Sequence, residues 1–135
     1  MTLRIGRILA GATALAAAAL TMSTGTASAY PDPGIDWDHI YETTGARVYV
    51  EEYGDYISVC DTKANGASAY VSVMEIGYSD PSYSMTASGG VGTCKSHRAS
   101  DGAKYNLNEN GTVVLDYVGT GNWSDYVESE FFNDH

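Results

Sequence analysis

Between Ala46 and His135 a turn signal built on Gly, Asn, Asp or Pro interrupts the chain about every 8–12 residues, and between interruptions apolar side chains recur at every second position. No window carries the helical stripe of period 3.6. Short period-two runs with frequent turns leave few fold classes open. Ala46, Val48 and Val50 alternate with Arg47, Tyr49 and Glu51. After the turn at Tyr53-Gly54-Asp55, Ile57 and Val59 share one face, with Ser58 and Cys60 on the other. That phase sets Cys60 opposite the apolar pair and predicts a bulge or an edge position there. Asn65-Gly66 is a strong hairpin signal. Ala69, Val71 and Val73 then define the longest alternating run, followed by Tyr83 and Met85. Glycines at 89, 90 and 92 make a tight connection to a strand carrying Cys94. Tyr105 and Leu107 alternate with Lys104 and Asn106; Val113, Leu115 and Tyr117 mark a strong strand; and residues 123–132 hold a last one, with Tyr126 and Phe132 in phase. Seven or eight short strands in one all-β domain, a small antiparallel β-sandwich over 46–135, are the expectation.

Residues 1–29 differ in kind. Arg4 and Arg7 precede an Ala-rich apolar stretch over 8–20, and Ala27-Ser28-Ala29 matches the small-residue pattern that a signal peptidase cuts. The expectation is a signal peptide over 1–29 and a secreted, extracellular or cell-wall-associated product starting at Tyr30. Cys60 and Cys94 are the two cysteines, and in an oxidising compartment they are expected to form one disulfide. Residues 30–45 read as an extended acidic lead-in. Pro31 and Pro33 forbid helix or central strand at its start; Trp37 and Ile40 are its anchors, in a short helical turn or a docked arm.

Five Lys and Arg stand against seventeen Asp and Glu from Tyr30 onward, a formal −12. Phosphate backbones and anionic bilayers repel such a chain, so nucleic acid is not the expected partner. No segment after the signal reaches the roughly 18 apolar residues of a membrane-spanning helix, so no membrane insertion of the mature chain is expected.

Catalytic and metal motifs are weak. Asp61-x-Lys63-x-Asn65 echoes a calcium loop but puts a cation where an oxygen donor belongs. Asp32, Asp36, Asp38 and Glu42 suit a solvated face as well as weak calcium binding. Cys94-x-x-His97 has zinc-like spacing, yet zinc there would cost the disulfide. Gly66-Ala67-Ser68-Ala69-Tyr70 misses the nucleophile-elbow pattern, which leaves His97 as the best-placed base, without a recognisable nucleophile. No catalytic residue, metal or cofactor is assigned. Two features stand out instead. Lys95, Arg98 and Lys104 form a basic patch, which either receives an anionic partner or pairs with carboxylates on a neighbouring strand. Eleven Tyr and two Trp exceed the needs of one small core. Tyr49, Tyr56 and Tyr70 lie on the polar phase of their strands, and Tyr49, Tyr70 and Arg98 are the candidate binding surface.

The run Val-Tyr-Val-Glu-Glu-Tyr-Gly-Asp-Tyr-Ile-Ser-Val-Cys-Asp-Thr-Lys-Ala-Asn-Gly at 48–66, with Thr86-Ala87-Ser88-Gly89-Gly90 and Cys94, resembles small secreted proteins of streptomycetes and related actinomycetes. The resemblance implies a bacterial source and a compact β domain, and it carries over no activity and no site residue. The leading expectation is a secreted, non-catalytic binding or accessory module that meets an unknown protein or a cell-wall glycan. The alternative is a proteinaceous inhibitor of an extracellular hydrolase, working through the loop over 77–83 with Pro81. A small secreted hydrolase using His97 comes third.

Overall fold

Eight strands come from the alternating runs: β1 (His39–Thr43), β2 (Ala46–Glu51), β3 (Tyr56–Asp61), β4 (Ala69–Glu75), β5 (Tyr83–Ala87), β6 (Cys94–His97), β7 (Gly111–Val118) and β8 (Val127–Asn133). They are seen in a computed structural model that describes residues 30–78 and 82–135. The signal sequence expected over 1–29, and residues 79–81 of the loop with Pro81, lie outside the described residues. Every pairing is antiparallel. Sheet A has the order β1-β2-β3-β6 and sheet B the order β5-β4-β7-β8, so the expected all-β sandwich is what the chain forms.

The alternation decides the inner faces. Val48, Val50, Ile57 and Val59 of sheet A meet Val71, Val73, Met85, Val113, Leu115, Tyr117 and Phe131 of sheet B in one continuous core. Leu107 closes the core from the connection between β6 and β7 and is 2% exposed. Burying a side chain of this size is worth about 1.5–3 kcal/mol. Its backbone N–H donates to Asp55 Oδ2 at 2.9 Å, which ties that connection to the β2–β3 turn. Asp55 Oδ1 accepts from Asn133 Nδ2 at 3.1 Å, and Asn133 is fully buried. Burial pushes the Asp55 carboxyl above the usual aspartate range, and these two donors offset part of that rise.

Four features differ from the sequence expectations. Residues 39–43 of the lead-in form β1, which pairs with β2 from His39↔Val50 to Thr43↔Ala46, so the sandwich starts at His39 and not at Ala46. Its alternation is real but short, and it is held by the Thr44-Gly45 turn. Gly45 has φ +83°, and a Cβ there would lie 2.4 Å from the Gly119 carbonyl oxygen, so two backbones touch where only glycine fits. Second, Cys60 lies in an interior strand, between β2 and β6, with neither bulge nor edge. Cys60 and Cys94 face each other directly, with Cα atoms 4.0 Å apart, and form the expected disulfide. Third, Asn65-Gly66 does turn the chain, with Gly66 at φ +76°, but it carries it from sheet A to sheet B and joins no hairpin. Fourth, residues 103–105 form a 3₁₀ turn where a strand was expected.

Candidate functional site

The two outer faces of the sandwich are built differently. On sheet A, Tyr49 of β2 and Tyr56 and Cys60 of β3 point away from the core, yet they are 1%, 8% and 0% exposed. The lead-in covers them. Trp37 packs against Tyr49 at 5.4 Å and against Tyr56 at 5.0 Å between ring centroids, and the Tyr30 ring meets Tyr49 edge-on at 5.3 Å. Arg98 completes the row, with its guanidinium carbon 4.2 Å from the centre of the Tyr56 ring. The lead-in acids are engaged in the same work. Asp32 Oδ1 accepts from the Gly34 N–H at 2.9 Å, Asp38 Oδ2 accepts from the Glu52 N–H at 2.8 Å, and Glu42 pairs with Arg47.

This corrects the surface assigned to Tyr49. It is a buried side chain whose hydroxyl accepts from Arg47 at 3.4 Å, and it presents no contact area to a partner. Tyr56 is buried in the same way. Arg98 is exposed as expected but lies across Tyr56, while Tyr70 sits half-buried on the other sheet, so the three named residues do not form one surface. Two of the three basic-patch residues lie over rings, Arg98 over Tyr56 and Lys104 with its Nζ 4.8 Å from the centre of the Tyr105 ring.

Among the described residues, no segment like the lead-in lies across sheet B, although Ser72, Val114 and Val118 at its centre are buried. Its outer face carries Ser84 and Thr86 from β5, Tyr70, Ser72 and Met74 from β4, Thr112, Val114, Asp116 and Val118 from β7, and Glu128, Glu130 and Phe132 from β8. Ser84, Thr86, Glu128, Glu130 and Phe132 are exposed. The loop after β7 folds Trp123 back so that it meets the Tyr70 ring edge-on at 4.8 Å, while Trp123 stays 56% exposed. Asn122 Oδ1 accepts from the Ser124 N–H at 3.1 Å, and Thr120 Oγ1 donates to Asp125 Oδ2 at 2.8 Å, which set that loop. Phe132 lies towards the opposite end of the face, in register with Thr112.

The charge on this face is of one sign. None of Arg47, Lys63, Lys95, Arg98 and Lys104 belongs to a strand of sheet B. Asp116 stands directly opposite Glu128 on the neighbouring strand, with Glu130 next on the same face. Asp116 Oδ1 is sealed from solvent and finds no hydrogen-bond partner among the described residues. Glu128 and Glu130 are exposed, and with no Lys or Arg on the strands of sheet B their charge is open to donors from outside.

The other sequence candidates resolve into structural roles. His97 Nδ1 lies 3.1 Å from Asp101 Oδ2, and its ring stacks on Tyr105 at 4.0 Å. The Arg98 backbone N–H, and then His97, hold the Asp101 carboxyl below the usual aspartate range. Asp61 Oδ1 accepts from the Lys63 N–H at 3.0 Å and Asn65 Oδ1 from the Ala67 N–H at 3.0 Å, so these oxygens shape a turn. That turn and the 88–91 loop line an open depression of about 420 Å³, whose polar side chains are Asp61, Lys63, Ser68 and Ser88. Cys94 is in the disulfide and offers zinc no thiolate. What sequence reasoning missed is the shared face of Trp123, Asp116, Glu128 and Glu130. The signal for it was the lack of any Lys or Arg across 69–87 and 111–133. Comparison of the chain with protein-family models, with curated proteins and with solved structures gives no match.

Proposed function

We propose that this chain is a secreted, non-catalytic binding module whose open sheet B face engages a basic protein surface. The observation that carries the reading is the segregation of charge. Exposed Glu128 and Glu130, beside half-buried Asp116, share a face with exposed Trp123 and Phe132, and no Lys or Arg lies on that sheet. Lysine and arginine side chains satisfy both halves of such a face, pairing with the carboxylates and lying over the rings. Tyr70 backs Trp123 and keeps its role as a contact residue; Tyr49 and Arg98 do not take part. Secretion rests on the tripartite character of residues 1–29, and the Cys60–Cys94 disulfide is compatible with it.

The test compares variants that carry the same charge change on different faces. Binding to an immobilised lysine-rich protein, such as a histone, is measured at two salt concentrations. Glu128→Lys with Glu130→Lys is set against Asp32→Lys with Asp36→Lys, and Trp123→Ala against Tyr78→Ala. The sheet B pair should weaken binding at least about tenfold more than the lead-in pair, and Trp123→Ala should cost about 1–3 kcal/mol of binding at constant charge. Equal losses from both charge pairs would mean that net charge alone attracts the probe, and the reading would fall.

A further inference from the structure

We infer that Glu52, Asp134 and His135 form a binding site for a divalent transition cation of the zinc class. One imidazole nitrogen and two carboxylate oxygens from these residues lie within 4.8 Å of one another, on the end of the sandwich that carries the β2–β3 turn. The site does not rest on the sheet B face and stands or falls independently of it.

The fold explains why residues so far apart in sequence meet. Asn133 ends β8 and is fully buried, donating from Nδ2 to Asp55 Oδ1 at 3.1 Å and to the Asn108 carbonyl at 3.4 Å. Asp55 belongs to the turn that follows Glu52, and its backbone N–H returns to the Glu52 carbonyl at 3.1 Å. The buried Asn133–Asp55 bond therefore clamps the end of β8 to this turn, and the next two residues, Asp134 and His135, fall beside Glu52. The Tyr53 ring flanks the His135 ring at 6.4 Å.

Glu52 is the fixed member. It is 8% exposed, its N–H donates to Asp38 Oδ2 at 2.8 Å, and its Oε1 lies 2.5 Å from His39 Nε2. His39 is itself held between the Tyr41 ring at 5.9 Å and the Phe131 ring at 5.5 Å. A buried carboxylate oriented by a second hydrogen-bonding side chain is the outer-shell arrangement that metal-binding carboxylates use. Asp134 and His135 complete the set from the exposed side, with His135 Nε2 3.3 Å from Asp134 Oδ1.

The donor set selects the ion. An imidazole with two carboxylates suits zinc and its neighbours in the first transition row, whereas calcium asks for six to eight oxygens. Three protein donors leave a fourth tetrahedral position open, for water or for a side chain of a bound partner. His39 acts as a positioning residue for Glu52 and is not counted as a ligand.

Calorimetric titration of the tag-free chain with zinc chloride at neutral pH tests this, with calcium chloride as the contrast. One equivalent of zinc should bind, calcium should not compete, and zinc should raise the thermal unfolding midpoint. His135→Ala removes an exposed ligand without touching the core and should weaken zinc binding at least about tenfold. Glu52→Gln should do the same, and His39→Gln should weaken binding to a smaller degree. His97→Gln, on another part of the molecule, should bind zinc as the wild type does. If sub-millimolar zinc does not bind the wild type, or if His135→Ala and His97→Gln bind it equally well, the site is not there.

Discussion

The outer faces of the two sheets started from similar sequence patterns and have opposite fates. Sheet A turns Tyr49, Tyr56 and Cys60 outward and then buries all three under Tyr30, Trp37 and Arg98. Sheet B turns Tyr70, Asp116, Glu128, Glu130 and Phe132 outward, and Trp123 leans on its rim. The difference comes from what precedes each sheet. Residues 30–38, which precede the first strand of sheet A, fold back over it, whereas the connections into sheet B lay no such segment across its outer face among the described residues. Strand phase says which way a side chain points, and it is silent on whether another segment lies over it. An outward tyrosine therefore stays half-exposed on one sheet and joins a second core on the other.

The largest expected effect tests the covered face. Replacing both Cys60 and Cys94 by Ala removes the cross-strand link that fastens the four-residue edge strand β6 to β3. With the cysteines 34 positions apart in sequence, the loss should be about 3–4 kcal/mol in the chain-entropy account. Urea unfolding measures it, and a loss below about 1 kcal/mol would mean that strand pairing alone holds β6. Next comes Trp37→Ala, which takes the central ring from between Tyr49 and Tyr56 and should cost about 2 kcal/mol, with new proteolytic cleavage within 30–38. Phe132→Ala on sheet B is its counterpart and should stay within about 0.5 kcal/mol of the wild type. Equal costs at the two positions would erase the distinction between the faces.

The fold was largely legible in the sequence, and the site was not, for physical reasons that particular residues show. The inward phases of Val48, Val50, Val71, Val73, Tyr83 and Leu115 followed from alternation, because burial of one sheet face imposes a period of two. The 39–43 strand was hidden because two prolines mark the segment as irregular, and five residues carry little periodicity. Asn65-Gly66 bent the chain as expected but joined different sheets, since a turn signal fixes local backbone and not the next pairing partner. Sheet membership is decided by such crossings. The acids of the sheet B face come from the consecutive strands β7 and β8, and what their spacing did not reveal is the pairing of β7 with β4, which brings Tyr70 beside Trp123. Glu52, Asp134 and His135 have no spacing motif at all; only the buried Asn133–Asp55 bond brings them together.

A smaller effect concerns pH. Burial raises the Asp55 carboxyl above its ordinary value of 3.8, so between that value and the raised one the folded chain holds more protons than the unfolded chain. Stability contributed by this group is then greatest at low pH and declines as pH rises through the folded-state value. Asp101, held low by the Arg98 N–H and by His97, acts in the opposite sense: its contribution is present above 3.8 and is lost as pH falls through its lowered value. Asp55→Asn should remove the first slope and leave the second. Unfolding free energies measured from about pH 3 to pH 6 for the two chains would show it; parallel curves would mean that Asp55 titrates alike in both states.

The smallest expected effect separates inner aromatics from outer ones. Tyr83 lies on the inner face of β5, 6% exposed, with its ring edge-on to Tyr105 at 4.8 Å. Its hydroxyl is buried and has no hydrogen-bond partner among the described residues, and burial pushes the phenol far above the usual tyrosine range. Desolvating a hydroxyl without giving it a partner opposes folding, whereas the ring contributes the packing. Tyr83→Phe keeps the ring and deletes the unsatisfied group, so stability should stay level or rise by up to about 1 kcal/mol. Tyr70→Phe on sheet B would change neither packing nor desolvation and should leave stability flat, with any consequence confined to binding. A clear loss on Tyr83→Phe would show that the hydroxyl is held by an ordered water between the sheets, and Tyr83 would then belong to a polar network instead of the apolar core.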